Sequence, residues 1–296
     1  MGRWHAVFLI RSCGSVRWTV HLLSVGSRDG VSNRMAVSRP IAGQPFGLII
    51  SGMSERRFFC PVLSEGRCEL PEEEARHALT VLRLGQGDAI VLFDGQGRVA
   101  TASIASANRK RVVLDVLEIR RLPPELPVRV TLAVAMIKAT RQSYLVEKCT
   151  ELGVSEIIPI ETQRGVVHAG EASVEKWQRR AIEAAKQSKR AWVPRISSDQ
   201  RAKKALEAVS STPAVVADLG EASIPLIDFL TARPNLDSLM VWIGPEGGWA
   251  AEERAAFAAA GVQPVRLAAT VLRTETAAIS ACAIIAAHCL TRQQTS

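Results

Sequence analysis

The sequence predicts an α/β protein in two parts, a small β-rich domain followed by a layered domain with a mostly parallel sheet. Three observations carry this. Between Arg56 and about Arg121, apolar and polar residues alternate at strand spacing. From Val128 onward, short apolar runs alternate with longer amphipathic stretches, the pattern of strands connected by helices. Between the two lies LPPELP, residues 122–127, a stiff proline-rich linker. The expected division is residues 54–124 and 125–296, with residues 1–53 outside the fold.

Residues 1–53 show no sustained period and are rich in Ser, Gly and Arg. An Arg-rich, acid-poor start suits a targeting segment, although AVFLI is too short for a good secretory core. The alternative is that Met53, opening MSERRFF, begins the folded protein and the rest is an upstream extension. Either way this stretch is expected to be disordered. It holds six arginines against one aspartate, and so five of the net +8 charges of the 296-residue chain. The body is only mildly basic, and charge alone is weak evidence for a nucleic-acid partner. Apolar residues at 47% and charged residues at 22% fit a globular protein, and no uninterrupted apolar run reaches the ~18–20 residues of a membrane span. The six cysteines form neither a C-x-x-C pair nor a zinc-like spacing with histidine, which implies a reducing, cytoplasmic setting and no metal.

In the first part, DAIVLFDG and RVATASIA flank the turn Asp94-Gly95-Gln96-Gly97, a hairpin signal, and RVVLDVLEI is a further alternating strand. A short helix is expected in PEEEARHALTVL, with Pro71 near its first turn and acids matching the helix dipole. In the second part, VRVTLAVAMI is a buried strand, and RQSYLVEKCTELG a helix closed by Gly153. VSEIIPIE is a strand, and VEKWQRRAIEAAKQS a helix with Trp177, Ile182 and Ala185 on one side. TPAVVADL, LDSLMVWIG and PVRLA are strands, and AAEERAAFAAAG and TAAISACAIIAAHCL are helices.

Parallel α/β sheets bind ligands at the carboxyl ends of their strands, and three loops there are unusual. The first is Gly244-Pro245-Glu246-Gly247-Gly248, whose glycines permit positive φ and close approach of a ligand to bare main chain, with Glu246 offering a carboxylate. It lacks the Lys-Ser/Thr of a phosphate loop, and its spacing is not G-x-G-x-x-G. A tight strand-to-helix turn is the plainer reading. The second is LAATVLRTETAA, residues 267–278, long and apolar for a cap, with the Thr274 oxygen opening the last helix. It is either a buried connection with Arg273 and Glu275 as a local ion pair, or a wall for a purine that satisfies its main chain. The third, IETQRGVV, places Arg164 just past a strand end, where Lys138 and Arg141 could complete an anion-binding rim. AAKQSKRAWVPRI adds Gln187, Lys189 and Arg190 beside Trp192, a mixture that suits RNA, though a solvated helix end explains it too. The five histidines, His5, His21, His77, His168 and His288, form no nucleophile or metal pattern.

Taken together and in this order, the stretches RRFF, HALTVLRLGQGD, KATRQSYLVEKCTELGV, AIEAAKQSKRAWVPRI, IGPEGGW and VLRTETAA resemble the RsmE family of SPOUT methyltransferases. They span about residues 56–290, and the pairing of GPEGG with LRTETA about 20 residues later is the specific part. The family methylates N3 of a uridine in 16S ribosomal RNA of the small ribosomal subunit. The resemblance implies a PUA-like β-barrel at residues 54–124, a SPOUT domain with a C-terminal trefoil knot at 125–296, S-adenosyl-L-methionine as methyl donor, and a homodimer. By position, Gly244, Glu246, Gly248, Leu267, Leu272, Arg273, Thr274 and Ala277 would line the cofactor pocket. Arg164 would act in catalysis with Arg141 and Lys138, and Arg56, Arg57, His77, Arg83, Gln187 and Arg190 would bind RNA. Three departures stand out: Thr162-Gln163-Arg164 where members often have Ser-Glu-Arg, Ala139-Thr140 where they often have Gly-Asp, and Lys186 where Glu is common. Two other readings remain: a SPOUT enzyme acting on another RNA position, and a non-catalytic RNA-binding ribosome-assembly factor.

Overall fold

The computed structural model describes residues 56–293 apart from 109–110, 166–170, 199 and 208–211; residues 1–53 and His5, His21 and His168 therefore lie outside the described residues. In chain order the elements are β1 Arg57–Phe59, β2 Gly66–Glu69, α1 Glu72–Arg76, a π-helical turn His77–Val81, β3 Ala89–Phe93, β4 Arg98–Ala107 and β5 Val112–Arg121. They continue with β6 Arg129–Ala135, α2 Ala139–Glu151, β7 Glu156–Glu161, α3 Glu171–Gln187, β8 Arg195–Ile196, β9 Gln200–Arg201, α4 Ala202–Glu207 and β10 Ala214–Ala217. β11 Ile224–Pro225, α5 Leu226–Thr231, β12 Ser238–Ile243, α6 Ala251–Ala259, β13 Gln263–Arg266 and α7 Thr274–Gln293 are the last elements among the described residues. The short β2, β8, β9, β11, α4 and α5 had no sequence signal of their own.

The first sheet has five strands in the order β1-β3-β4-β5-β2. Its β3–β4 hairpin turns at Asp94 to Gly97 as expected, with Gly95 and Gly97 at φ +74 and +92. Asp94 fixes the turn: its carboxylate accepts the main-chain N–H of Gln96 and Arg98 and pairs with the Arg98 side chain at 2.7 Å. The inward residues Phe58, Ile90, Leu92, Ile104, Leu114 and Val116 form one core.

The second sheet is parallel, with β11-β13-β10-β12-β6-β7-β8 in order and β9 also on β7. Its strands are apolar on both faces because both are covered. Leu132, Val134, Val241, Ile243 and Val215 meet α2, α3, α5 and α7 on one face, while Ala133, Trp242 and Val216 meet Trp249, Phe257 and Val262 on the other. α2 ends at Gly153, φ +96, where a Cβ would strike the Leu126 side chain at 2.7 Å. On α3 the buried stripe runs through Trp177, Ala181, Ala184 and Ala185, while Ile182 is only partly buried, a phase that an alanine-rich helix does not reveal. α7 has the length and composition of a membrane span over Thr274–Arg292, yet Ala278, Ala281, Cys282, Ile285 and Cys289 are packed in the core. It serves as a core helix with a partly open outer face.

The two sheets meet along a seam. Val91, Phe93 and Val99 pack with Ala185 and Ala191, and main-chain bonds run from Gly97 N to Ala191 O and from Val193 N to Gly95 O. Glu74 of α1 holds Lys186 of α3 through both carboxylate oxygens, at 2.9 and 3.1 Å, with both side chains 9% exposed.

Candidate functional site

The parallel strands end at one edge, and the connections that leave it carry the residues of interest. Register aligns them: Ile243 lies opposite Val134, and Ala135 opposite Ile160, so residues 136–138, 162–165 and 244–248 emerge side by side. The loops after β12 and β13, separated in the chain by α6 and β13, line one cavity of about 340 Å³. Its walls are residues 244–249, Leu267, Ala268, Thr270 to Leu272, Thr274 and Ala277, with Ala217, Asp218 and Leu219 from the end of β10.

Each glycine of the first loop answers a different constraint. A Cβ on Gly244 would lie 2.8 Å from the indole of Trp249. That ring is 2% exposed, donates its N–H to the Ala217 carbonyl at 3.2 Å, and stands edge-on to Phe257 at 4.7 Å between centroids, so it has nowhere to go. Gly248 adopts φ +69, which closes the turn by a bond from its N–H to the Pro245 carbonyl. A Cβ on Gly247 would come within 3.4 Å of the Arg164 side chain.

The Thr274 hydroxyl does not cap its own helix. It donates to the Gly244 carbonyl at 3.0 Å and so ties the second loop to the first, a correction to the expected cap. Nor do Arg273 and Glu275 form the expected local pair: Arg273 is exposed and outside the cavity wall, and buried Glu275 lies 3.7 Å from Arg141 Nε. Arg141 also pairs with Glu246 at 2.8 Å, so one guanidinium holds a carboxylate from each loop. Arg164 donates to the Gly247 carbonyl at 2.9 Å, while Lys138, the residue before α2, is exposed. Two of the three expected cations thus touch the 244–248 loop directly.

The residues expected on RNA separate. Arg56 pairs with Asp88 at 3.0 Å, and Arg83 and Gln187 are exposed, Arg83 with φ +51 just beyond the π-helical turn. His77 is half-buried, its ring edge-on to Phe58. Arg57 donates to the Arg190 carbonyl at 2.7 Å and lies over the Phe93 ring, within the seam. Arg190 is 5% exposed, bound to the Thr150 carbonyl and paired with Glu125 at 2.9 Å. It is a structural residue and not an RNA contact, because its charge is spent inside the protein.

Sequence reasoning missed Asp218, which lines the cavity and pairs with Arg254 at 3.2 Å; an acid directly after a strand was the available signal. It also missed Trp249 as the packing partner of Gly244. Among the described residues, no group of three or more His, Cys, Asp or Glu is placed to hold a metal.

Comparison with known proteins follows the same division. A family model described as an RNA methyltransferase domain matches residues 124–286, and one described as an RNA methyltransferase PUA domain matches residues 70–117. Ribosomal RNA small subunit methyltransferase E of Mycobacterium tuberculosis is 36% identical over 214 residues, 70% of this chain and 80% of the relative. The protein of that name from Synechocystis is 33% identical, covering 72% and 70%. Among solved structures, the Neisseria gonorrhoeae ribosomal RNA small subunit methyltransferase E bound to S-adenosyl methionine has TM-score 0.69 and 31% identity over 77% of this chain and 95% of that one. A methyltransferase from Legionella pneumophila with bound SAM has TM-score 0.71 and 28% identity over 79% and 98%. The chain therefore belongs to the RNA methyltransferase family that includes ribosomal RNA small subunit methyltransferase E.

Proposed function

We propose that the chain transfers a methyl group from S-adenosyl-L-methionine to N3 of a uridine in 16S ribosomal RNA of the small ribosomal subunit. One observation carries this: the loops after β12 and β13 line a single cavity, with Arg164, 83 residues before Gly247, bonded to the Gly247 carbonyl at its rim. The residues suit the cofactor. Gly244 and Gly248 leave main chain bare, Ile243, Val265, Leu267 and Leu272 offer apolar surface to a purine, and Asp218 offers a carboxylate to hydroxyls.

The cofactor supplies a methyl group already activated on sulfur, so alignment is the protein's main task. Uridine N3 carries a proton and is a poor nucleophile until it leaves. Arg164 stabilises the negative charge that then spreads onto O2 and O4, as donors in an oxyanion site do. Its bond to Gly247 spends only part of the guanidinium, which has five N–H donors. Arg141 acts as a strut between Glu246 and Glu275, and Lys138 anchors phosphate. Arg56, Arg83, His77 and Gln187 contribute to RNA binding, Arg57 chiefly to the seam.

The same reading divides the chain into residues 1–53, a PUA-like β-barrel at 54–124 and a SPOUT domain at 125–296 whose C-terminal segment forms a trefoil knot. It places the protein in the cytoplasm as a homodimer. A self-association surface is supported by the outer face of α7 and its neighbour α5, where Ile227 and Leu290 are 44% and 60% exposed beside a cavity lined by Leu226, Ile284 and Ala287.

Arg164→Ala is expected to lower kcat at saturating RNA by about 10²-fold, with cofactor affinity unchanged. The wild-type rate in that variant would remove Arg164 from catalysis. Nucleoside mass spectrometry of ribosomal RNA from a deletion strain should show loss of 3-methyluridine; its persistence would overturn the substrate assignment.

A further inference from the structure

Arg164 sits in a tight turn, and what holds that turn is not its own strand. The Gly165 N–H returns to the Thr162 carbonyl at 3.0 Å, and a Cβ on Gly165 would lie 2.7 Å from the Thr162 hydroxyl, so residues 162–165 form a compact unit. Among the described residues, two side-chain hydrogen bonds attach this unit to the body. One is the Arg164 bond to the Gly247 carbonyl. The other comes from α6: Glu253 Oε1 accepts the main-chain N–H of Gln163 at 3.0 Å, while its Oε2 accepts the N–H of Ala250 at 2.9 Å. A single carboxylate thus spans from the start of α6 to the residue next to Arg164. Ala250 begins that helix without a side-chain acceptor, so Glu253 provides the side-chain bond at this end.

We propose that Glu253 is a positioning residue for the methyl transfer, fixing the Arg164 turn against the 244–248 loop; this rests on the role given to Arg164 above. The link runs through the Gln163 backbone, so the side chain at 163 is not part of it. That accounts for why Gln can stand where relatives were expected to carry Glu. A carboxylate is supplied to this turn after all, from Glu253 on α6.

Glu253 has two jobs, and they can be separated. Glu253→Ala removes both the tie and the helix-end bond. Ala250→Ser combined with Glu253→Ala restores a capping oxygen at the start of α6 but not the tie. Both variants are expected to lose about tenfold or more in kcat, because small displacements of a catalytic group are costly, with cofactor Kd within about twofold of wild type. Only the double variant should recover the wild-type Tm. Glu253→Ala added to Arg164→Ala should be no slower than Arg164→Ala alone, since Glu253 acts through that arginine. Recovery of kcat together with Tm in the Ala250→Ser variant would overturn the proposal, as would additive losses in the Arg164 pair. Amide exchange at Gln163 reads the tie directly: protection in the wild type should be lost in Glu253→Ala. If Arg164→Ala itself turns over at the wild-type rate, the Arg164 reading and the catalytic consequence fall together, while unchanged exchange at Gln163 in Glu253→Ala would sink the tie alone.

Discussion

The seam between the two sheets and the rim of the cavity use the same parts to different ends. At the seam, Gly97 faces Trp192, where a Cβ would lie 2.4 Å from the ring; at the rim, Gly244 faces Trp249 at 2.8 Å. At the seam, Lys186 and Glu74 pair with both side chains 9% exposed, and at the rim Arg141 and Glu246 pair at 38% and 55%. The buried pair is committed to holding two sheets together. The exposed pair costs little to rearrange, since such contacts are worth ~0–1 kcal/mol, and so can hold loops that must admit a ligand. Burial, not residue type, separates the committed cation from the exposed one, and Arg190 shows how far sequence can mislead on that point.

The largest expected effect tests the buried pair. Lys186→Met leaves Glu74 as a buried carboxylate without its cation, and should cost about 3–5 kcal/mol, read as a lower denaturation midpoint. Arg141→Met at the rim should leave the midpoint nearly unchanged. Equal losses in the two variants would erase the distinction between the regions.

The two glycines sharpen the comparison at the next level. Gly97→Ala combines φ +92 with the Trp192 clash, and the ring cannot swing aside without giving up its bond to the Leu122 carbonyl. A loss of about 2–4 kcal/mol in stability is expected, with cofactor affinity intact. Gly244→Ala meets a ring that is fully buried, so the loop main chain must move instead, and the cavity floor moves with it. Calorimetry should show S-adenosylmethionine Kd raised by about tenfold or more, a difference of ~1.4 kcal/mol. A Gly244→Ala variant with unchanged affinity would mean that the loop does not line the cofactor site.

How legible all this was in the sequence follows the same line. The strand–helix alternation, the hairpin at Asp94 to Gly97 and the two odd loops were visible because local pattern encodes them. The partner of Arg190 was not: Glu125 lies 65 residues earlier, within the linker itself, and no periodicity connects them. Thr274 looked like a cap because it opens a helix, but its hydroxyl reaches Gly244, 30 residues before it, a contact fixed only when β12 and α7 pack. Glu253 drew no separate expectation from the sequence. Its second oxygen reaches Gln163, 90 residues away. Long-range partners decide function here, and sequence shows only what is local.

The smallest effect concerns pH and the two ends of the buried pair. Burial pushes the Glu74 carboxyl up, and its hydrogen bond and attraction to Lys186 offset this only in part. Burial pulls the Lys186 ammonium down, but Glu183 and Glu74 together outweigh it and the net direction is up. The asymmetry has a cause: Lys186 has two carboxylates to answer one cation, at 2.9 Å each, while Glu74 shares that cation with Glu183, whose charge pushes Glu74 further up. Lys186 therefore stays charged throughout the acid and neutral range, and Glu74 is the group that titrates. An acid whose folded pKa lies above its unfolded value favours folding when protonated. Its contribution is present below the ordinary value of 4.5 and is lost as pH rises through the raised one. Relative to Glu74→Gln, which does not titrate, the wild type should gain stability as pH falls through that window. The wild-type midpoint minus that of Glu74→Gln, measured in parallel from neutral pH downward, should rise as pH falls. A difference that falls instead, with the wild type losing ground in acid, would mean that the Lys186 attraction outweighs burial and that the seam is held by charge.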